Sequence, residues 1–253
     1  MAVNGDRMIK RSILKRHMLL ALLFMCITLP NVTAFSFSPM TVSISPSGAA
    51  AVITYKVTNE SDQQTAVSIK VTTRVIDTSG KETNEPADKL FLVFPARVVL
   101  KANSSQNVKV QYRGPTNIGS EQAFRVIAEQ LPVDFSKSTS SGVSILLTYV
   151  AALYVTPKNA APKLVVTKAM GSQKDGIQGL ELTVKNEGTQ HALISNPIIK
   201  MNNNGSNIEI SGEAVGALDG QNILALSERI VFMPWSAAVT GASYEGSIVA
   251  ELD

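Results

Sequence analysis

Val143-Ser144-Ile145-Leu146-Leu147-Thr148-Tyr149-Val150-Ala151-Ala152-Leu153-Tyr154-Val155 is the stretch whose reading decides the fold. Taken as a strand, one face carries Val143, Ile145, Leu147, Tyr149, Ala151 and Leu153, because successive side chains alternate across a sheet. The other face carries Ser144, Leu146, Thr148, Val150, Ala152 and Tyr154. Such a strand is apolar on both faces along much of its length. Two readings fit: a central strand of a sandwich core, or an edge strand whose apolar side chains are lent to another protein. An exposed apolar edge is an aggregation hazard unless it is managed. A Ser- and Thr-rich loop, Ser136–Gly142, leads into the strand.

Outward from this strand the same pattern repeats. Strands are expected at Ala50–Asn59, Thr65–Asp77, Phe91–Phe94, Asn107–Tyr112 and Glu121–Leu131. Asp77-Thr78-Ser79-Gly80 has the composition of a turn, and Pro95 ends the run before it. After Val155 the run TPKNAAPK reads as a short linker. Strand patterning then restarts at Lys163–Lys168, Leu180–Asn186, Ala192–Lys200, Ile208–Ile210, Arg229–Met233 and Gly246–Glu251. Many strands, turn chemistry between them and no helix-period segment predict an all-β chain of two immunoglobulin-like sandwiches, over 35–156 and 163–253.

The first 34 residues read differently. Arg7, Lys10, Arg11, Lys15 and Arg16 precede an apolar run from Met18 to Leu29, which Pro30 breaks. The run falls short of the ~20 residues a membrane span needs. Val32-Thr33-Ala34 supplies small residues for cleavage, so residues 1–34 are expected to be a secretory signal peptide, with Met8 as an alternative start. Their removal changes the charge. The whole chain has 23 basic and 20 acidic residues. Without the five cations above and Asp6, 18 basic and 19 acidic remain, a net −1. The basic isoelectric point belongs to targeting and gives no reason to expect a nucleic-acid partner. Cys26, the single cysteine, lies in the apolar run. The exported chain is therefore thiol-free in an oxidising compartment and is expected to be soluble, held by its core without disulfides.

Catalytic chemistry has little to work with. His191 is the one histidine beyond residue 34, at a turn after Gly188-Thr189-Gln190, and reads as a solvated loop residue. There is no nucleophile elbow, zinc-ligand cluster, calcium loop or glycine-rich phosphate loop. Enzymatic activity, a cofactor and a metal are not expected.

Several motifs carry a family resemblance. Val57-Thr58-Asn59 ends a strand. Phe94-Pro95-Ala96 opens a segment running to Lys101. Ala123-Phe124-Arg125-Val126-Ile127-Ala128-Glu129-Gln130-Leu131-Pro132 has an aromatic-Arg and a Glu-x-Leu-Pro run. Leu153-Tyr154-Val155-Thr156-Pro157 closes the first domain, and Leu182–Gly188 has the form v-x-N-x-G. Together they resemble the periplasmic pilus-assembly chaperones of the chaperone–usher pathway. The aromatic-Arg run is nearer to the divergent, archaic branch of that family.

The resemblance implies two domains in an L-shaped arrangement and a function without chemistry. A pilus subunit is a sandwich lacking its last strand. The chaperone lends it a strand in the periplasm and gives it up at an outer-membrane usher. The residues matching the lent row are Val143, Ile145 and Leu147, with Tyr149 continuing it. In the best-known branch two basic residues hold the subunit's C-terminal carboxylate. The positions matching them are Thr41 and Ala152, and Thr156 replaces a further arginine. Lys109, Arg125 and Arg97 are the alternative anchors, with Arg113 behind them. Implied partners are pilus subunits and an usher, with no stable membrane association. A secreted immunoglobulin-like adhesive or structural protein, or a pilus subunit itself, is the competing reading.

Overall fold

The computed structural model describes residues 35–132, 145–203 and 206–252. The expected signal peptide and Val143 lie outside the described residues. The first group of strands is β1 (Phe35–Ser38), β2 (Thr41–Ile44), β3 (Val52–Asn59), β4 (Thr65–Thr73), β5 (Val75–Ile76), β6 (Glu82–Thr83), β7 (Phe91–Phe94), β8 (Arg97–Leu100), β9 (Ser105–Tyr112), β10 (Gln122–Gln130) and β11 (Thr148–Val155). The second group is β12 (Leu164–Lys174), β13 (Ile177–Asn186), β14 (Ala192–Asn203), β15 (Ser206–Ile210), β16 (Asn222–Ile223), β17 (Glu228–Pro234) and β18 (Ser243–Leu252). Two short 3₁₀ turns are the helical content of the described residues. The chain is all-β and forms two immunoglobulin-like sandwiches.

In the first group a four-stranded sheet, β1-β3-β9-β7, packs on a five-stranded sheet, β2-β11-β10-β4-β8. Alternation supplies the core between them. On β10, Phe124, Val126 and Ala128 turn inward, while Arg125, Ile127 and Glu129 turn outward. Tyr55 on β3 is fully buried and stacks on Phe37 with centroids 4.8 Å apart. In the second group β15-β14-β18-β12-β13-β17 form one sheet, with β16 beside β14. Leu180, Leu182, Ile194, Ile199 and Met233 lie in its own core.

Two expected strands change form. Thr65–Asp77 breaks at Arg74, which separates β4 from β5 and sends its side chain to Glu82. The described part of the expected strand Val143–Val155 begins at Ile145 and forms a strand from Thr148 onward, while before it the Leu147 carbonyl accepts the Gln130 N–H at 2.9 Å.

One device is used twice. Asn59 ends β3 and Asn186 ends β13, and both are fully buried. Asn59 Nδ2 donates to the carbonyls of Gln63 at 2.7 Å, Lys101 at 3.0 Å and Leu100 at 3.4 Å. Asn186 Nδ2 donates to Gln190 at 2.7 Å, Ile223 at 3.0 Å and Leu224 at 3.3 Å. In each case Oδ1 accepts the N–H two residues on, from Ser61 at 3.1 Å or Gly188 at 2.9 Å. Each asparagine thus ties the end of its strand to a turn in its own sequence and to a pair of consecutive carbonyls far along the chain. Losing the amide leaves those buried carbonyls unpaired, which costs more than the bonds themselves contribute. Asn59→Ala and Asn186→Ala are each expected to lower unfolding stability by about 2–4 kcal/mol. Denaturant titration measures this, with the exposed Asn207→Ala as the control that changes little.

Candidate functional site

The open edge of β11 and the outer face of the five-stranded sheet make the site. On one side β11 pairs with β10 along its whole length, Thr148 opposite Glu129 to Val155 opposite Gln122. On the other side parallel β2 covers only Ala152–Val155. The Ala152 N–H donates to the Met40 carbonyl at 2.8 Å, where that cover begins. Strand alternation therefore turns the main-chain groups of Thr148 and Val150 toward an edge with no strand beside it among the described residues.

The side chains divide in the same way. Ala151, Leu153 and Val155 are buried in the first core, and Leu147 and Tyr149 pack against it. The Tyr149 ring meets Phe35 edge-on at 4.9 Å, and its hydroxyl donates to the Phe35 carbonyl at 2.7 Å. Before them Ile145 is 66% exposed. On the outer face Leu146 and Val150 are also exposed. The row Ile145-Leu147-Tyr149 thus leaves solvent and enters the domain's own core within a few residues.

The outer face beside this edge carries a charge network. Thr41, Ala152, Arg125 and Thr72 stand side by side across β2, β11, β10 and β4. Arg125 donates twice to Glu82, Nε to Oε1 at 2.8 Å and Nη2 to Oε2 at 2.6 Å. Arg74 Nε donates to Glu82 Oε2 at 3.0 Å. Held chiefly by Arg125 and also by Arg74, against a partial cost of burial, the Glu82 carboxyl is pulled down to a pKa of about 2. Arg74 also donates to the Tyr154 hydroxyl at 2.8 Å.

Tyr154 continues this network into the second domain. Asn222 Nδ2 donates to its hydroxyl at 2.9 Å, and its ring stacks on His191 with centroids 3.8 Å apart. His191 Nδ1 lies 2.6 Å from Glu121 Oε1, which also accepts the His191 N–H at 3.0 Å. Glu121 Oε2 accepts from the Thr156 hydroxyl at 2.8 Å. This corrects the expectation of a solvated loop histidine. The His191 side chain is 12% exposed, because the facing domain supplies both a ring and a carboxylate.

The other cations named from sequence are dispersed. Lys109 is exposed on β9, in the opposite sheet, between Thr54 and Phe94. Arg97 is exposed at the far edge of the five-stranded sheet, across from Ser68. Arg113 follows β9 and is exposed. Sequence reading missed Glu82, Arg74 and Tyr154 as members of one cluster. The turn Asp77–Gly80 between two short strands was the available signal, since a hairpin there brings Glu82 back to Arg74. Among the described residues no group of His, Cys, Asp and Glu is arranged to hold a metal ion.

Comparisons with known proteins bear on this arrangement. Residues 36–161 match the family model described as pili and flagellar-assembly chaperone, PapD N-terminal domain. The structure is similar to that of the class 5 fimbriae chaperone CfaA, with 16% identity, a TM-score of 0.57, and coverage of 87% of this chain and 92% of that one. It is similar to a chain of a chaperone–tip adhesin complex of CFA/I fimbriae biogenesis, with 15% identity, a TM-score of 0.56 and coverage of 87% and 94%. It is also similar to a chain of the CsuC–CsuE complex from the archaic chaperone–usher Csu pili of Acinetobacter baumannii, with 17% identity, a TM-score of 0.51 and coverage of 82% and 93%. At these identities the likeness speaks for the fold. No curated protein sequence matched.

The ionised form of Glu82 is the stabilised one, so its contribution to folding is complete above its ordinary value near pH 4.5. That contribution is lost as the pH falls from there toward about 2. Glu82→Gln is expected to destabilise the protein at pH 7 by about 2 kcal/mol, as for hydrogen bonds to charged groups. It should also remove part of the wild type's acid sensitivity. Denaturation midpoints measured from pH 7 to pH 2 on both proteins test this.

Proposed function

The chain belongs to the family of pili and flagellar-assembly chaperones, and on that premise we propose that it is a periplasmic chaperone that holds pilus subunits by lending them β11 and its lead-in. The observation that carries this reading is the half-open strand. β11 is fully paired with β10, while toward β2 its pairing starts only at Ala152. Ile145, Leu146 and Val150 are exposed beside the unpaired part. A subunit strand laid along Thr148 and Val150 would complete the main-chain ladder, as in recognition by strand addition, for which the handling of pilins by chaperones is a known example.

Within the donated row, roles divide by contact. Leu147 and Tyr149 fasten the strand to the chaperone's core. Val143 and Ile145 are the side chains that enter the subunit. Each aliphatic side chain buried there contributes ~1.5–3 kcal/mol. Arg125 is the basic group beside Ala152 and Thr41, so a subunit carboxylate bound there exchanges with Glu82 for the guanidinium. Lys109 and Arg97 stand elsewhere on the domain and are retained as the competing anchors. On this reading residues 1–34 are a cleaved export signal, 35–156 and 163–253 are the two domains, and an outer-membrane usher receives the loaded chaperone. No step needs a nucleotide, a metal or a covalent intermediate.

Co-expression with a candidate subunit, followed by co-purification, tests the reading. Ile145→Asp is expected to keep the wild-type melting temperature within about 1 °C, as an exposed substitution, and to abolish recovery of the subunit. Tyr149→Asp places a charge against the core and is expected to lower chaperone stability itself by more than about 2 kcal/mol. Arg125→Ala should reduce capture while Lys109→Ala and Arg97→Ala leave it unchanged. Full capture by Ile145→Asp would remove the donor role of the lead-in.

A further inference from the structure

Arg229, at the second position of β17, faces the turn between β5 and β6 and is 7% exposed. The turn is docked there by its backbone, since the Ile230 N–H donates to the Thr78 carbonyl at 2.8 Å. It also fits closely. Gly80 has φ +96, and a Cβ at that position would collide with Arg229 Nη1. Yet Nε of this arginine is buried without a hydrogen-bond partner, and no hydrogen bond or ion pair to the guanidinium forms among the described residues. Asp77, the acid whose field reaches it, spends Oδ1 on the Ser79 N–H at 2.9 Å, the Ser79 hydroxyl at 2.7 Å and the Lys81 N–H at 2.9 Å.

A buried guanidinium carries five N–H donors and is strongly disfavoured unless they are met. Burial lowers its pKa from the ordinary value, the field of Asp77 offsets part of that, and Arg74 repels it. The carboxylate that faces Arg74, Glu82, is already shared with Arg125. Arg229 lines an open cleft of about 400 Å³ together with Ser79, Gly80, Lys174, Gln221 and Phe232. The cleft therefore offers a guanidinium fork, an ammonium, a hydroxyl and a carboxamide, and no acid lines it.

We propose that this cleft, between the β5–β6 turn and β17, binds a small free oxyanion on Arg229 and Lys174. The guanidinium suits a planar or tetrahedral oxyanion bidentately. Its size suits inorganic phosphate, sulfate or a short carboxylate. Bound there, the ion joins the turn of the first domain to a strand of the second and adds a link to the Tyr154–His191 contact. The site is separate from the β11 edge, so the inference stands or falls independently of subunit capture.

Thermal unfolding of the purified protein tests it, with phosphate, sulfate and acetate titrated against chloride at fixed ionic strength. A saturable rise of several degrees in Tm is expected with at least one oxyanion, and the three titrations identify which geometry fits. Lys174→Ala, a substitution at an exposed residue, is expected to keep the chloride Tm and weaken the oxyanion's apparent affinity tenfold or more. Arg229→Met is expected to unfold at no lower temperature than wild type in chloride and to lose the oxyanion response. If no oxyanion raises Tm beyond chloride, or if both variants respond like wild type, the proposal is overturned. A lower Tm of Arg229→Met in chloride would also overturn it, because the guanidinium would then have its partner within the protein. If Arg229→Met does not fold, Lys174→Ala decides alone.

Discussion

Everything distinctive about this protein turns on the point at which β2 stops covering β11. From Ala152 to Val155 the strand has neighbours on both sides, and its side chains are buried on both faces. Over Thr148–Ala151 it has one neighbour, β10. A strand free along its whole length would be a poor template, because a flat, mobile apolar edge invites pairing with any chain. Here the covered half fixes register and twist, and the core contacts of Leu147 and Tyr149 extend that order toward the open half. The exposed edge is therefore short and held in place by residues packed on the domain's own core.

The far end of the same strand lies in the domain junction. Tyr154 receives hydrogen bonds from Arg74 and Asn222 and stacks on His191. Its ring occupies the outer face of the sheet, two residues from Ala152 on the same face. The junction is polar and nevertheless largely satisfied. Glu121 takes up three donors, and Glu82 balances two arginines. Buried pairs of this kind do not obviously add stability, since desolvation offsets attraction, but they penalise arrangements in which a partner is lost. The junction's chemistry thus favours one packing of the turn Asp77–Gly80 and of His191 over looser ones. Arg229 Nε and Asn222 Oδ1 are exceptions to that satisfaction, and Arg229 sits where the turn meets β17.

How much of this was legible in the sequence follows from what each feature depends on. Long strands were legible because alternation persists over many residues. Phe91–Phe94 was found as it stands, and β3, β9 and β10 lie within a residue or two of their expected bounds. β1, β2 and β8 were not found. Each is short and lies within two residues of a proline, and each exists because a neighbour supplies its ladder. The division of Val143–Val155 was equally invisible. The core-strand reading holds for Ala151–Val155, Thr148–Val150 border an uncovered edge, and the boundary is set by where β2 lies. Thr41 and Ala152, named from the resemblance as the positions matching two basic residues, emerge as a cross-strand pair. His191 was misread because a turn position implies solvent until another domain covers it. Glu82 was missed because its partners Arg74 and Arg125 are distant from one another in sequence, and pairing of that kind is written in topology.

The repeated asparagine explains how a chain with no cysteine among its described residues closes the ends of its sandwiches. At a strand end the chain must turn, and the turn leaves carbonyls that no ladder reaches; in a buried position each of them demands a donor. A disulfide would tie the chain there without meeting those groups. An asparagine meets them directly, because one side chain offers two donors and an acceptor in fixed geometry. Asn59 joins its own turn to Leu100 and Lys101, and Asn186 joins its own to Ile223 and Leu224. The residues contacted differ in every case, while the pattern of donors and acceptors is the same. What the two domains share is therefore a backbone problem and its solution. Glutamine would place the amide one methylene too far out, and aspartate would bring a charge and lose the donors. That restriction is why v-x-N reads so clearly in both halves of a chain whose remaining sequence differs.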